Sequence, residues 1–168
     1  AAGTGVVTLT GAPLNRETTA SYTLEVTVTD GLNPSTAAVL TINVTDVNDN
    51  NPVITNAPGA AQNVSEGATV GTSVFDLDAS DADATFTESW SITGGNSDGV
   101  FSIGNDGRLT VSNTTNLDRE TTSSYTLVIE VSDGLNSSTP INLSITITDI
   151  NDNTPSITNA PGTAQNVS

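Results

Sequence analysis

The sequence contains no cysteine, methionine, histidine or lysine, and aromatic residues make up only 4% of it. The missing residues exclude disulfide bonds, thiolate or imidazole metal sites, and catalysis by a cysteine, histidine or lysine side chain. Zinc is disfavoured as a bound metal, because protein zinc sites use cysteine or histidine side chains. A surface protein without cysteine is typical of bacteria and archaea, so the missing cysteine does not indicate the cytoplasm.

Positive charge is also scarce, because three arginines stand against nineteen acidic residues and give a formal net charge of −16 over 168 residues. Such a surface repels phosphate groups, so we expect neither nucleic acid nor an anionic membrane surface as a partner. It attracts cations. No apolar run approaches the roughly 20 residues of a transmembrane helix, so we expect no membrane insertion in this segment.

The chain contains an internal repeat of domain size. Residues 14–65 and 117–168 align without a gap, 35 of the 52 aligned positions are identical, and the offset is 117 − 14 = 103 residues. This period fits a whole sandwich domain rather than a solenoid repeat. We therefore expect the C-terminal half of one repeat at 1–51, a complete repeat at 52–153 and the first strand of a following repeat at 154–168.

Apolar and polar residues alternate along several short segments, which predicts half-buried strands. Tyr125, Leu127, Ile129 and Val131 form one such series, and the equivalent positions 22–28 form another. Asp-Gly pairs at 30–31 and 133–134 predict turns. With about seven short strands in roughly 100 residues and no helical periodicity, the expected fold is an all-β sandwich.

Acidic residues are concentrated at the two expected domain boundaries. The sequences DVNDN at 46–50 and DINDN at 149–153 each follow a predicted strand and precede a proline. Calcium binds six to eight oxygens at about 2.3–2.6 Å, from carboxylates, amide side chains and carbonyls, whereas magnesium keeps water and a strict octahedron. These motifs therefore predict calcium. The alternative that Asp and Asn only mark turns stays open for Asp76 and Asp78, and we prefer it for an isolated Asp-Gly pair.

Several motifs together resemble the cadherin repeat, in that family's order and approximate spacing. They are Leu117-Asp118-Arg119-Glu120, the Tyr125–Val131 strand leading to Asp133-Gly134, Asp149–Asn153 before Pro155, the early glutamate Glu66, and Asp81-Ala82-Asp83. The resemblance covers the 52–153 unit and both partial units. It implies a tandem Ig-like or cadherin-like Greek-key β-sandwich with seven strands per repeat, located outside the cell and joined to adjacent cadherin-like repeats.

The resemblance also implies a ligand set for calcium, with three ions per linker in the family. At the first junction the implied ligands are Glu17, Asp46, Asn48, Asp49 and Asn50 from the upstream unit and Asp81, Asp83 and Asp133 from the downstream unit, with the carbonyls of Val47 and Asn50. At the second junction they are Glu66, Asp118, Glu120, Asp149, Asn151, Asp152 and Asn153. Asn15 replaces a family aspartate and the upstream glutamate would precede Ala1, so the two inner ions are expected at the first junction.

Three functions are compatible with these features. The first is a calcium-rigidified spacer and adhesion segment of a long cell-surface protein. The second is a subunit of an extracellular filament, in which a terminal strand completes the sheet of another copy. The third is a carbohydrate-binding accessory module, for which only Trp90, Tyr22 and Tyr125 offer stacking rings, and all three are expected to face a core. No catalytic constellation is found, so we expect no enzyme activity.

Six Asn-x-Ser/Thr sequons occur in the chain, and each fits the acceptor sequence for N-glycosylation. They begin at Asn43, Asn63, Asn113, Asn136, Asn142 and Asn166. A chain this rich in Asn, Ser and Thr also forms such triplets by chance. The sequence alone leaves open whether they are modified.

Overall fold

Of the 168 residues, the computed structural model describes 5–158 and 162, and these form strands and turns without a helix. The strands are β1 (Ser21–Val26), β2 (Ala38–Asn43), β3 (Val53–Ile54), β4 (Gln62–Ser65), β5 (Ser73–Asp76), β6 (Ala79–Ser80), β7 (Ser89–Gly94), β8 (Phe101–Ile103), β9 (Arg108–Val111), β10 (Ser124–Ser132) and β11 (Ile141–Thr148). The all-β prediction is therefore confirmed. In the part of the chain that is described, no helix has the length and apolar character to cross a bilayer.

Strands β3 to β11 build one sandwich. A four-stranded sheet has the order β4-β11-β10-β7, a three-stranded sheet has the order β5-β9-β8, and β3 pairs with β6. Strand β4 runs parallel to β11, and the other pairs are antiparallel. Counting β3 with β4, and β5 with β6, as one interrupted strand each gives seven strands for the nine segments. This confirms the predicted sandwich.

The core of this unit lies between its sheets. Tyr125, Leu127, Ile129 and Val131 on β10 are all buried, as their alternation predicts, and Trp90 on β7 packs among them at 5% exposure. Gly107 lies just before β9, and its missing side chain lets it approach the segment between β5 and β6. A Cβ at this position would lie 2.1 Å from the carbonyl oxygen of Leu77. The core extends from Val64 to Ile147 and includes no residue of the preceding hairpin.

Strands β1 and β2 form a separate antiparallel hairpin. Its register pairs Ser21 with Asn43, which is the register of Ser124 with Thr146 displaced by one repeat. Leu24 is 36% exposed, whereas its counterpart Leu127 is fully buried. The hairpin is exposed because, among the residues described, no second sheet covers it.

Two local predictions for this hairpin are wrong. We expected Tyr22 to face a core, but it is 37% exposed, since the sheet that would cover it is not among the described residues. We also expected the first strand to reach Val28, but it ends at Val26. The predicted strand at 154–168 falls largely outside the described residues.

Tyr125 closes the core at the end of the sandwich where β10 begins. Its ring packs edge-on against Phe101 with centroids 5.0 Å apart. Its hydroxyl donates a 2.7 Å hydrogen bond to Oδ2 of Asp98. Burial, the hydrogen bond to Asp98 and the charge of Asp98 together raise the pKa of Tyr125 to about 12. The folded state therefore favours the neutral phenol.

We predict that this contact makes the fold sensitive to alkaline pH. Because the pKa of Tyr125 is raised to about 12 in the folded protein, its stabilisation is complete below the unfolded pKa of about 10 and is lost as pH rises toward 12. Tyr125→Phe should cost about 1–3 kcal/mol at neutral pH, since Asp98 loses its donor. Thermal melts from about pH 7 to about pH 12 measure both effects, because this range includes neutral pH and both pKa values. Tyr22→Phe is the matched control, and an equally steep alkaline loss in Tyr125→Phe would contradict the assignment.

Candidate metal centre at the domain junctions

The first junction lies between the β1–β2 hairpin and the sandwich, around the linker 46–50. Glu17, Asp46 and Asp83 each place a carboxylate oxygen within 4.8 Å of the other two, and Asp81, Asp83 and Asp133 form a second such group. Two oxygens bound to one calcium at about 2.3–2.6 Å are separated by at most about 5 Å. Both groups therefore have the dimensions of a calcium site, and they share Asp83.

The ends of strands bring these side chains together from both sides of the linker. Glu17 lies in the turn before β1 and Asp46 follows β2, whereas Asp81 and Asp83 follow β6, and Asp133 follows β10. The chain therefore contributes two carboxylates from the upstream unit and three from the downstream unit. Their proximity depends on the placement of one unit against the other.

Local hydrogen bonds hold the downstream carboxylates in place. The amide of Asp83 donates to Oδ1 of Asp81 at 2.9 Å. Oδ1 of Asp133 accepts from the amides of Leu135 and Asn136, both at 2.7 Å. The amide of Asn136, followed by that of Leu135, holds the pKa of Asp133 below its usual value, so this group is a carboxylate near neutral pH. Asx turns of this kind explain why Asp precedes Gly and Leu at this position.

Direct hydrogen bonds connect the linker with the downstream unit. Asn50 donates to Asp83 twice, from its amide at 3.0 Å and from Nδ2 at 2.7 Å. The amide of Ala84 donates to Oδ2 of Asp46 at 3.0 Å. These contacts orient Asp46 and Asp83 toward each other.

Asn136 adds a contact that the sequence analysis did not anticipate. Its Nδ2 donates to Oδ1 of Asn48 at 2.7 Å and to Oδ2 of Asp133 at 3.3 Å. It therefore joins the linker to the turn after β10. The sequence showed Asn136 only as the start of a sequon, and the backbone amide of Ala84 carried no sequence signal at all. The position of Asn136 three residues after Asp133, in the turn that Asp133 caps, was the available clue.

Three carboxylate oxygens at this junction are buried without a hydrogen-bond partner among the described residues. They are Oε1 of Glu17, Oδ1 of Asp46 and Oδ2 of Asp81. The nearest cation is Arg16, whose Nη1 stands 3.4 Å from Oδ1 of Asp46. Unpaired buried carboxylates cost free energy that a cation in contact with them would offset. The residues present thus fit a hard cation, because every unpartnered atom is an anionic oxygen.

The charge of the junction supports the same chemistry. Six carboxylates surround it, namely Glu17, Asp46, Asp49, Asp81, Asp83 and Asp133, against the single guanidinium of Arg16. The excess is five negative charges. Carboxylates at such short separations repel one another strongly unless a cation lies between them.

At the second junction, around the linker 149–153, Glu66 lies between two segments of backbone and is 8% exposed. Its Oε1 accepts from the amide of Ile150 at 2.6 Å and its Oε2 from the amide of Arg119 at 2.7 Å. The amide of Ile150, followed by that of Arg119, holds the pKa of Glu66 below its usual value. Glu66 therefore fixes the start of the 149–153 linker to the turn at 118–120.

Glu66, Asp118 and Glu120 form a third carboxylate group, again with oxygens within 4.8 Å of one another. A hydrogen bond with its own backbone lowers the pKa of Glu120, but burial, the charge of Glu66 and contacts with Asp149 and Asp118 outweigh it and raise that pKa. The hydroxyl of Thr121 donates to Oδ2 of Asp118 at 2.8 Å and is the main cause of the lowered pKa of Asp118. Two of the three carboxyls in this group therefore have a lowered pKa, and the acidic groups around Glu120 raise the pKa of that carboxyl alone.

No carboxylate of the 149–153 linker is a member of this group of mutually close oxygens. The side chain of Asp149 is 57% exposed, whereas that of its counterpart Asp46 is 18% exposed. Asn151, Asp152 and Asn153 are also exposed. The difference arises because the first linker is covered by Asp83 and Ala84 of the following unit, and the described residues after 153 supply no equivalent.

Some predicted roles need correction or restriction. The glutamates next to the two arginines suggest ion pairs along the chain, but Nη1 of Arg16 lies 3.4 Å from Oδ1 of Asp46 and Nη1 of Arg119 lies 3.8 Å from Oδ1 of Asp149. Among the described residues, the one hydrogen bond of the Asp49 side chain is accepted from Nδ2 of Asn50 at 3.0 Å.

The two aspartates for which a turn role was left open lie outside all three carboxylate groups. The side chain of Asp76 is mainly exposed to solvent, and its Oδ1 lies 3.9 Å from Nε of Arg108. Oδ2 of Asp78 accepts a hydrogen bond from Nδ2 of Asn56. Trp90 and Tyr125 are buried as expected, which leaves neither ring free to stack on a sugar.

Comparisons with known proteins agree with this geometry. A family model described as a cadherin domain matches residues 61–148. Cadherin-1 of Gallus gallus is 38% identical over 164 residues, covering 88% of this chain and 18% of the relative. Cadherin-23 of Rattus norvegicus is 40% identical over 159 residues, covering 90% of this chain and 5% of the relative. The chain thus spans less than a fifth of the length of either relative.

Solved structures are similar as well. Protocadherin Gamma B7 extracellular cadherin domains 1–4 superpose with a TM-score of 0.68 at 30% identity, over 83% of this chain and 34% of that one. Human Protocadherin-24 EC1-2 superposes with a TM-score of 0.66 over 82% of this chain and 70% of that one. Because the two sequences are only 24% identical, the similarity to this second structure shows a shared fold alone.

We predict that Glu66 stabilises the sandwich in a pH-dependent manner. Its lowered pKa means that its contribution is present above the unfolded pKa and is lost as pH falls through the folded pKa. Glu66→Gln replaces one acceptor oxygen by an NH₂ group that faces a backbone donor, so the melting temperature should fall at neutral pH. The variant should also lose less stability than the wild type on acidification.

Calorimetric melts from neutral to acidic pH in the presence of a chelator check this expectation. Glu25→Gln on the exposed hairpin is the control. Equal losses of melting temperature in the two variants would contradict a special role for Glu66.

Proposed function

Because this chain belongs to the cadherin domain family, we propose that it is a calcium-rigidified spacer and adhesion segment of a longer cell-surface protein. Cadherin domains are extracellular adhesion modules, are not enzymes, and generally bind calcium at the linkers between domains. The chain covers only a small share of its relatives, so the spacer role and the partners of the whole protein are part of this proposal. The expected partners are adjacent repeats of the same kind.

The observation that carries the proposal is the set of three buried and unpartnered oxygens at the first junction. One ion would be held by Glu17, Asp46 and Asp83, and a neighbouring ion by Asp81, Asp83 and Asp133. Calcium suits these groups because it accepts many oxygen ligands with flexible geometry. Linker oxygens of Asn48, Asp49 and Asn50, together with the carbonyls of Val47 and Asn50, are proposed to complete the two shells.

Calcium would act here as a mechanical connector. The carboxylates of each group come from different elements, and in the first group they come from both sides of the linker. An ion that binds only the assembled junction stabilises it by mass action. Without calcium, the repulsion among the six carboxylates favours separation of the two units. With calcium, the same charges hold the units in one orientation, and a series of such junctions forms a stiff rod.

The proposed domain boundaries follow from the two linkers. We assign 1–51 to the C-terminal half of one repeat, 52–153 to a complete repeat and 154–168 to the first strand of the next. Support comes from the hydrophobic core, which lies wholly within Val64–Ile147, and from the hairpin, which repeats the β10–β11 register. The second junction, with Glu66, Asp118, Glu120, Asp149, Asn151, Asp152 and Asn153, would then bind calcium once a following repeat supplies its Asp-x-Asp segment.

Asp83 offers the sharpest test, because it belongs to both carboxylate groups. We predict that Asp83→Asn lowers calcium affinity at the first junction in isothermal titration calorimetry, while Asp76→Asn, a solvent-exposed control, leaves it unchanged. At a calcium concentration about 100 times Kd, binding should add about 2.7 kcal/mol to the wild type and raise its melting temperature by roughly 5–10 °C.

Melts in excess chelator separate the loss of calcium from the loss of the Asn50 contacts, because only the latter persists without the ion. Small-angle scattering should show a longer and narrower particle with calcium than with chelator for the wild type, but not for Asp83→Asn. If neither the melting temperature nor the particle length of the wild type changes when calcium is added, the proposal is wrong.

A second candidate function is a filament subunit, and the exposed hairpin favours it. Tyr22, Leu24 and Leu40 are 36–39% exposed, whereas their counterparts Tyr125, Leu127 and Leu143 are at most 7% exposed in the complete repeat. An apolar face with a free strand edge is a template for pairing with another chain. In a longer protein, the first half of the same repeat would cover it instead.

Light scattering over a range of concentrations distinguishes these two situations for the 168-residue chain. A filament subunit is expected to form larger species as concentration rises, and Leu24→Ser with Leu40→Ser should suppress them. Leu135→Ser, at a residue 77% exposed on the complete repeat, is the control. A monomer at every concentration would remove the filament candidate and leave the calcium proposal untouched.

A further inference from the structure

The sequons of the chain lie in different structural settings, and these settings determine which asparagine a glycosylating enzyme could reach. Asn166 is outside the described residues. Of the remaining five, Asn63 lies in β4, Asn142 in β11, and Asn43 is the last residue of β2. Asn113 follows β9, and Asn136 lies in the turn after β10.

The three sequons on strands are held extended. Asn142 is paired with Val128, Asn63 with Thr146, and Asn43 with Ser21. In a strand, the Asn and the hydroxyl residue two positions later point to the same face, about 6.6 Å apart along the chain. Ladder hydrogen bonds hold the backbone of the triplets at Asn63 and Asn142, and just after Asn43 the amide of Val44 donates to the carbonyl of Ala20 at 2.9 Å, so these triplets cannot bend to place the carboxamide in an enzyme's active site.

The sequon at Asn136 is occupied by structural contacts. Nδ2 of Asn136, the atom that glycosylation would modify, already donates to Asn48 and Asp133. The hydroxyl of Ser138 is turned inward, since this residue is 5% exposed and accepts from the amide of Val131. Modification at Asn136 would break the contacts that join the linker to the sandwich.

Asn113 differs from all of these. The backbone turns immediately after it, so that the amide of Thr115 donates to Oδ1 of Asn113 at 2.9 Å. Asn113 is half-buried and its Nδ2 has no protein partner in the part of the chain that the structure describes, while Thr114 and Thr115 are exposed. A backbone hydrogen bond also fixes the start of this loop, because the amide of Asn113 donates to the carbonyl of Val100 at 3.2 Å. The acceptor nitrogen is therefore presented on a surface turn of defined shape.

We propose that Asn113 is a site of N-linked glycosylation and that it is the sequon the folded repeat presents to a transferase. The co-reactant is a lipid-diphosphate-linked oligosaccharide. Nδ2 of Asn113 forms a bond to the anomeric carbon of the first sugar and loses a proton, while the bond from that carbon to the diphosphate oxygen breaks and the lipid diphosphate leaves with the electron pair. No oxidant or reductant takes part. The proposal requires passage through a compartment that holds this donor, and it does not depend on calcium binding.

The test uses the purified folded chain, an oligosaccharyltransferase that accepts Asn-x-Ser/Thr, and its lipid-linked donor. Peptide mass spectrometry should find the glycan on Asn113 and no more than trace amounts on Asn43, Asn63, Asn136 and Asn142. Thr115→Ala removes the hydroxyl of the sequon but keeps the backbone amide that bonds to Asn113, so modification should be lost without a change in melting temperature. Asn142→Gln is the matched control and should be modified like the wild type.

A second arm uses the same chain after thermal unfolding, where the strand sequons are free to bend and should become substrates. Among the five sequons in the described residues, selection by the fold predicts one modified site in the folded chain and several in the unfolded chain. Asn113 left unmodified in the folded chain, or a folded chain modified equally at Asn142 and Asn63, would overturn the proposal.

Discussion

Carboxylate groups that are buried side by side repel one another, and the arrangement of the first junction depends on how that repulsion is relieved. Hydrogen bonds from Asn50 and Ala84 neutralise part of it, and Arg16 lies beside Asp46. Oxygens of Glu17, Asp46 and Asp81 remain unpartnered among the described residues. Since these oxygens come from both sides of the linker, any cation that binds them also sets the orientation of one repeat relative to the next. In the proposed function, metal binding and mechanical stiffness would therefore arise from the same carboxylates.

The two halves of the chain show how far a repeat depends on its other half. Strands β1 and β2 have the register of β10 and β11, and six of their twelve residues are identical to the equivalent residues, yet Leu24 is 36% exposed and Leu127 is fully buried. A similar local pattern therefore gives a core only where a second sheet is present to pack against it. The same reasoning applies to the junctions, because Asp46 is covered by the following unit and Asp149 is not. A repeat array of this kind is stabilised by neighbours as well as by its own core.

Much of this architecture could be predicted from the sequence, because its determinants are local and periodic. Alternation over Tyr125–Val131 fixes both the strand and the face that is buried, and the 103-residue offset locates the linkers. The carboxylate groups were predictable only through their resemblance to a known family, since Glu66 and Asp118 are distant in sequence and meet only after folding.

The contacts of Asn136 with Asn48 and of Ala84 with Asp46 escaped prediction for a related reason. Each depends on how two units sit against each other, which no local pattern encodes. The central claim is tested most directly by a crystal structure with calcium, in which anomalous scattering locates the ions. The prediction is two neighbouring ions at the first junction, both bound by Asp83, one with Glu17 and Asp46 and the other with Asp81 and Asp133. A junction without ions at saturating calcium, with its carboxylates still in contact, would contradict it.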